Sequence, residues 1–291
     1  MADNKVSGAG GTTVSFSNAP QAKDDVFSWT EDNAVFAGSS TTIISLDVMA
    51  NDLGGNAKSL FSLDDGTSAM TATKNGAPLD LTSQDVLTGG VSAWEASGTD
   101  GIRIRLNGST GKVEVDLSGY LNAKGWSSLQ SMGATDSITE SFTYAIKLGN
   151  GTLSWATANL NIAGSNDAAI LSSDIRQLTE TNEAADVSTS GKLTITDVDS
   201  SATFQTQTDT AGKYGRFSVD ATGAWTYVAS SAHNEFVQGQ TYTEVFTVKA
   251  ADGTATTVTV NIAGTNDTPV AVADTKYKLL DANGNVPNAD A

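Results

Sequence analysis

Thr243–Asp267 reads TEVFTVKAADGTATTVTVNIAGTND. Apolar residues recur at every second position, Phe246 and Val248 before the Ala-Asp-Gly step and Val258, Val260 and Ile262 after it. A period of two reads as a strand with one buried face. Asp-Gly between two such runs reads as a tight hairpin turn. The closing NIAGTND has a near-copy 100 residues upstream, NIAGSND at Asn161–Asp167. The same hairpin precedes it: TESFTYAIK (Thr139–Lys147), a Gly-Asn-Gly turn, then TLSWATANLNI. Self-similarity at a fixed spacing indicates repeated units of one architecture.

Working outward, Trp29-Thr30-Glu31 corresponds to Leu178-Thr179-Glu180, and ISLDVMAND (Ile44–Asp52) to TITDVDS (Thr194–Ser200). Residues 22–167 form the first expected unit and 168–267 the second. Residues 1–21 are expected to be a flexible Gly-, Ser- and Thr-rich arm containing a strand-like piece, Thr12–Phe16. Residues 268–291 form a tail that opens PVAVAD, like the start of another unit. The first unit carries an expected insertion at about 71–124, with strands near Ile102–Leu106 and Val113–Leu117. A short helix is expected within Tyr120–Met132. In the second unit Lys192–Thr196 alternates, and Gly215–Val219 and Trp225–Val228 flank a turn at Asp220–Gly223. Short alternating strands with turns every 8–12 residues predict an all-β fold of sandwiches. The inward residues are expected to include Leu193, Ile195, Phe217, Val219, Trp225, Tyr227, Phe246, Val248, Val258, Val260 and Ile262.

The 291 residues carry 33 acidic against 16 basic side chains, a net charge of −17. Such a surface repels phosphate backbones and anionic lipid, which argues against nucleic acid as a partner. The excess serves solubility or waits for a hard cation, and composition alone leaves both open. With no cysteine, disulfides and thiolate metal sites are excluded. The one histidine, His233, reads as a surface residue. No run approaches the ~18 apolar residues of a membrane span. The opening MADNKVSGAGGTT lacks the apolar region of a signal peptide. The chain is therefore cytoplasmic, exported without an N-terminal signal, or part of something longer.

Residues Leu178–Asp267 resemble a VCBS repeat through LTET, KLTITDVDS, QTDTAGKYGRFSVDATGAWTY and the closing hairpin. The first unit resembles the related cadherin-like repeat through AKDDVFSWTEDNA, DVMANDL and NIAGSND. The resemblance implies tandem immunoglobulin- or cadherin-like Greek-key sandwiches from large bacterial RTX-type adhesins and biofilm matrix proteins. It implies type I secretion, an extracellular or cell-surface location, and roles in adhesion, biofilm matrix or filaments. It also implies calcium at the junctions between repeats.

Oxygen chemistry points the same way. Ca²⁺ takes ~6–8 oxygen ligands from carboxylates, amides, backbone and water. The first candidate set is Asn166, Asp167, Glu180, Glu183, Asp197, Asp199 and Asp252. Asp197 and Asp199 lie two apart, so both face one side at a strand end. The second set is Asp24, Asp25, Glu31, Asp47 and Asp52. A third, Asn266, Asp267, Asp274 and Asp281, faces whatever follows, and Asp281-Ala-Asn283-Gly-Asn285 faintly resembles a calcium loop. The competing reading is that Asp and Asn end strands and build turns.

Neither G-x-S-x-G nor H-E-x-x-H occurs, and no Gly-rich phosphate loop opens a helix, so the chain is expected not to be an enzyme. Trp225 is expected in the core. Trp94 and Trp126 belong to the core of an enlarged first unit or to a sugar- or partner-binding patch. The main functional expectation is a calcium-stabilised structural module that associates with itself or with neighbouring repeats, with strand donation from the arm or tail. The alternative is an adhesin whose insertion binds glycan or a host surface.

Overall fold

The computed structural model describes residues 4–7, 13–16, 21–64, 73–74, 77–78 and 80–267. The expected tail at 268–291, most of the arm, and part of the insertion lie outside the described residues. The fold is all-β, built as two sandwiches in tandem along the chain. Among the described residues, one unit comprises those up to 169 together with 196–202, and the other comprises 170–195 with 203–267.

The first unit contains β1 (Asn4–Ser7), β2 (Thr13–Phe16), β3 (Asp25–Thr30), β4 (Ile43–Leu46), β5 (Lys58–Asp64), β6 (Thr73–Lys74) and β7 (Ala77–Pro78). It continues with β8 (Glu95–Ala96), β9 (Arg103–Asn107), β10 (Lys112–Asp116), α1 (Ser118–Lys124), β11 (Ser137–Leu148) and β12 (Leu153–Ala163). One sheet has the order β4-β10-β9-β8 and the other β3-β12-β11-β5. The stretch read as an insertion thus supplies three of the four strands of one sheet. β3 runs parallel to β12, and the other pairings in these sheets are antiparallel.

Alternation in sequence becomes alternation in burial. Ile44, Leu46, Ile104, Leu106, Val113 and Val115 from one sheet meet Phe142, Tyr144, Ile146, Ala158, Leu160 and Ile162 from the other. Each large apolar side chain buried this way contributes roughly 1.5–3 kcal/mol. The helix expected within Tyr120–Met132 begins earlier, at Ser118, and is shorter. Gly125 ends it at φ 73°, a left-handed cap that a side chain would strain. Beyond it, Leu129–Ser131 forms one 3₁₀ turn, and Trp126 packs against the core rim.

The second unit holds β13 (Ile170–Leu171), β14 (Asp174–Thr179), β15 (Thr189–Lys192), β16 (Ile195–Thr196) and β17 (Gln207–Ala211). It ends with β18 (Gly215–Val219), β19 (Ala224–Ala229), β20 (Thr241–Lys249) and β21 (Ala255–Ala263). Sheets β14-β21-β20 and β15-β19-β18-β17 enclose Phe217, Trp225, Tyr227, Phe246, Val248, Val258, Val260 and Ile262. Phe217 stacks on Phe246 at 4.7 Å. The alternating run Lys192–Thr196 is divided between β15 and β16, with Leu193 buried between them.

His233 corrects the expectation of a surface residue, since it is only 5% exposed. Its Nε2 lies 2.6 Å from Tyr214 O and its Nδ1 2.8 Å from Glu235 Oε1, with the ring stacked on Phe236. A lone histidine in a polar loop gives no sequence sign of these partners. Among the described residues, no helix is long and apolar enough to cross a membrane.

Candidate metal centre

The parallel pairing of the first and last long strands places an acid at each unit's end. In the first unit Thr30 pairs with Ala163, so Glu31 follows β3 just where Gly164 and Ser165 follow β12. Glu31 is 2% exposed, and its Oε1 accepts the Ser165 N–H at 2.8 Å. Glu31 Oε2 is buried with no hydrogen-bond partner. The second unit repeats this arrangement. Thr179 pairs with Ala263, Glu180 N donates to Ala263 O at 2.9 Å, and Thr265 N donates to Glu180 Oε2 at 3.4 Å. Glu180 is 1% exposed, and its Oε1 together with Asp267 Oδ2 is buried without a partner.

Asp197 and Asp199 follow β16 in the segment that groups with the first unit. Asp197 Oδ1 accepts the N–H groups of Asp199 (3.2 Å) and Ser200 (2.8 Å), a turn that fixes both carboxylates. Asp199 Oδ2 accepts the Asp167 N–H at 3.2 Å. Ser200 Oγ lies 3.5 Å from Asn166 Oδ1. Asp197 Oδ2 and Asp199 Oδ1 are buried and unpartnered. Sequence reasoning missed one neighbour, Asp136. Its Oδ2 accepts the Gly133 N–H at 3.0 Å, and it stands with Asp199 Oδ2 within 4 Å of the Cβ position Gly133 lacks. The repeat register contained a weak signal. Asp136 O and Gln240 O accept equivalent Gly164 and Gly264 N–H groups, but the side chain differs between the copies.

Burial raises the Glu31 carboxyl above its ordinary value, the Ser165 N–H works against this, and Asp32 and Asp167 add repulsion. Burial likewise raises Asp199, opposed by the Asp167 N–H and reinforced by Asp197 and Asp167. Burial and the neighbouring Asp267 raise Glu180. The ion pairs among the described residues join Arg103–Asp116, Arg105–Glu114, Arg176–Asp174 and His233–Glu235, and none reaches these acids.

The remaining candidates sit elsewhere. Glu183 is exposed beside Thr181, which supplies its N–H with an acceptor. Asp252 braces its own hairpin turn through the Thr254 N–H (3.0 Å) and hydroxyl. Asp24 Oδ1 accepts the Thr157 N–H at 2.9 Å, and Asp47 is exposed. Asp25 and Asp52 converge on Tyr144, whose hydroxyl lies 2.8 Å from Asp25 Oδ2 and 3.2 Å from Asp52 Oδ1. That hydroxyl has one proton and also sits 2.8 Å from Val48 O. Burial, with repulsion from Asp52, Asp24 and Asp47, raises Asp25 to about 6 despite the Tyr144 bond. Glu31 is separated from Asp25 by the length of β3, about 20 Å at ~3.3 Å per residue. Asp274, Asp281, Asn283 and Asn285 lie outside the described residues.

The donors around Glu31 and Asp199 suit a hard cation. All are oxygens, several are buried without partners, and among the described residues no ion pair neutralises them. Among the described residues, no three His, Cys, Asp or Glu side chains already form a ready metal-holding group. A calcium ion there would draw on amide, backbone or water oxygens as well.

Residues 166–264 match the family model described as bacterial cadherin-like domain, about a third of the chain. No curated protein matches the chain. Among solved structures, the protocadherin gamma B7 extracellular cadherin domains 1–4 are 15% identical, with 88% of this chain and 55% of that chain covered and a TM-score of 0.31. Drosophila N-cadherin EC1-3 is 13% identical, with 84% and 64% covered and a TM-score of 0.34. Mouse clustered PcdhgC3 EC1-3 is 12% identical, with 84% and 66% covered and a TM-score of 0.28. The chain spans about half the length of the first of these. The likeness to a bacterial cadherin-like domain is carried by residues 166–264.

Proposed function

We propose that the chain is a calcium-stabilised structural module, non-enzymatic and extracellular, of the VCBS and cadherin-like kind found in bacterial surface and biofilm matrix proteins. One observation carries this reading: Glu31, Asp197 and Asp199 each hold a buried carboxylate oxygen with no hydrogen-bond partner, and among the described residues no ion pair reaches them. Asp136, Asn166 and Asp167 stand beside them. Leaving such charges buried and unpaired is costly, and a divalent ion relieves the cost. Extracellular modules bind calcium at about 10⁻⁴–10⁻³ M. The ion stiffens the segment only outside the cell, which suits export through a type I system. Adhesion and fibre assembly, with strands donated between subunits, follow as its use.

Thermal melting in calcium, magnesium and chelator tests the ion. Calcium at ten- to hundredfold over Kd should add about 1.5–3 kcal/mol, and magnesium much less. Identical melts in calcium and chelator would overturn the reading.

A second reading has its own observation. Arg105 lies 4.3 Å over the Trp94 ring, and Glu114 accepts from Arg105 Nε (2.7 Å) and Asn107 Nδ2 (2.6 Å). Phe36, Ser45, Asn107 and Lys112 line the adjoining groove of about 480 Å³. Aromatic and fixed polar groups of this kind suit a glycan. A glycan array probed with the intact chain and with Trp94→Ala decides it, and equal binding by both would remove this reading.

A further inference from the structure

Glu140 in β11 and Glu244 in β20 occupy equivalent positions of the two repeats, each after a threonine. In the first unit Glu140 Oε1 accepts the Ser97 hydroxyl at 2.6 Å. In the second, Glu244 Oε1 accepts the Tyr214 N–H at 2.8 Å, and Oε2 is buried with no partner. Glu244 is 6% exposed, and the neighbouring Tyr227 hydroxyl is likewise buried and unpartnered. Both repeats thus set a glutamate at this position, with the Ser97 hydroxyl on it in the first and the Tyr227 hydroxyl beside it in the second.

Glu244 lines a groove of about 390 Å³ walled by Thr243–Thr247 on one side and by Gln207 and Thr210–Lys213 on the other. β20 is the outer strand of its sheet. Its outer edge already accepts two bonds, Gln207 Nε2 to Thr247 O and Gln205 N to Lys249 O, each 2.8 Å. Backbone direction alternates along a strand, so Thr243 and Val245 direct their groups to the same edge, within the groove. An inward-pointing charge at an open edge normally guards against strand addition. A strand that does add must bring the opposite charge, and this makes the edge selective.

The chain carries such a strand. β1 and β2 pair with each other antiparallel and with no other described strand. A two-stranded ribbon is marginal alone and gains stability by joining a sheet. β1 reads Asn-Lys-Val-Ser, and Lys5 is the only basic residue before Lys23. We propose that the open edge of β20 accepts the β1–β2 ribbon of a second copy, with Lys5 adding its positive charge to that of Lys213 beside Glu244. Donor and acceptor lie on different parts of the chain, so the contact is head-to-tail and repeatable into a filament. This deepens the fibre-assembly reading by naming the partner and the edge, and it does not depend on calcium.

Sedimentation of the full chain, Lys5→Glu, Glu244→Lys and the double variant, in calcium and in chelator, tests it. The full chain should associate as concentration rises. Each single reversal should weaken association by about tenfold or more, and the double should recover most of the loss. A peptide of residues 1–20 should compete with association. A full chain that stays monomeric, single variants that associate normally, or a peptide without effect would each overturn the proposal. If Glu244→Lys melts the second unit, Lys5→Glu and the peptide still decide. Association lost while the calcium-induced stabilisation persists sinks only this inference. The reverse pattern sinks only the ion.

Discussion

The ends of the two units are built from the same parts in different company. In each, a glutamate after the first long strand accepts an N–H just past the last strand, from Ser165 to Glu31 and from Thr265 to Glu180. In each, an NIAG(S/T)ND segment follows, and one glutamate oxygen is buried without a partner. The first end is joined by Asp197 and Asp199. Among the described residues, no such pair joins the second end. The recurrence of the orphaned glutamate shows that it belongs to the repeat and is not an accident of one loop. The difference shows that an Asp-x-Asp segment turns a strained acid into a candidate ion site.

Breaking the first end should produce the largest effect. Asp199→Ala is expected to remove most of the calcium-induced gain, about 1.5–3 kcal/mol, in a thermal melt. Glu180→Gln should leave that gain unchanged, because its partners Thr265 and Asp267 are at the other end. Equal losses from the two variants would show that the ends do not differ as described.

The hairpins, the alternation and the repeat were readable in the sequence because each is a local pattern. Phe246, Val248, Val258, Val260 and Ile262 are buried as their spacing predicts. The Asp197–Asp199 turn was readable for the same reason. Convergence over long separations was not. Nothing near Glu31 in sequence announces Ser165, 134 residues away, so Glu31 was grouped with Asp25 and Asp52. Those two instead meet Tyr144, about a hundred residues on, whose hydroxyl is indistinguishable in sequence from any core tyrosine. Strands β8–β10 looked like an insertion because the second unit lacks their sequence, although they make up most of one sheet.

The smaller effect concerns protons, which compete with an ion for the same oxygens. Burial raises Glu31, Asp199 and Glu180 in the folded state, so that state binds more protons than the unfolded chain in this range. The resulting stability is full below the ordinary carboxylate values near pH 4 and fades as pH rises through the folded-state values. In chelator, therefore, melting temperature should rise as pH falls from 7 toward 5. The Glu31→Gln, Glu180→Gln double variant should be more stable than the parent at pH 7, and its pH dependence should be shallower by less than about 1.4 kcal/mol per pH unit for each site. A residual slope should remain from Asp25, which titrates at about 6 beside Tyr144. In calcium the parent should show the opposite trend, because protonating Glu31 and Asp199 displaces the ion. If parent and double variant have parallel pH profiles in chelator, the two glutamates carry no buried charge, and the likeness between the two ends is one of shape alone.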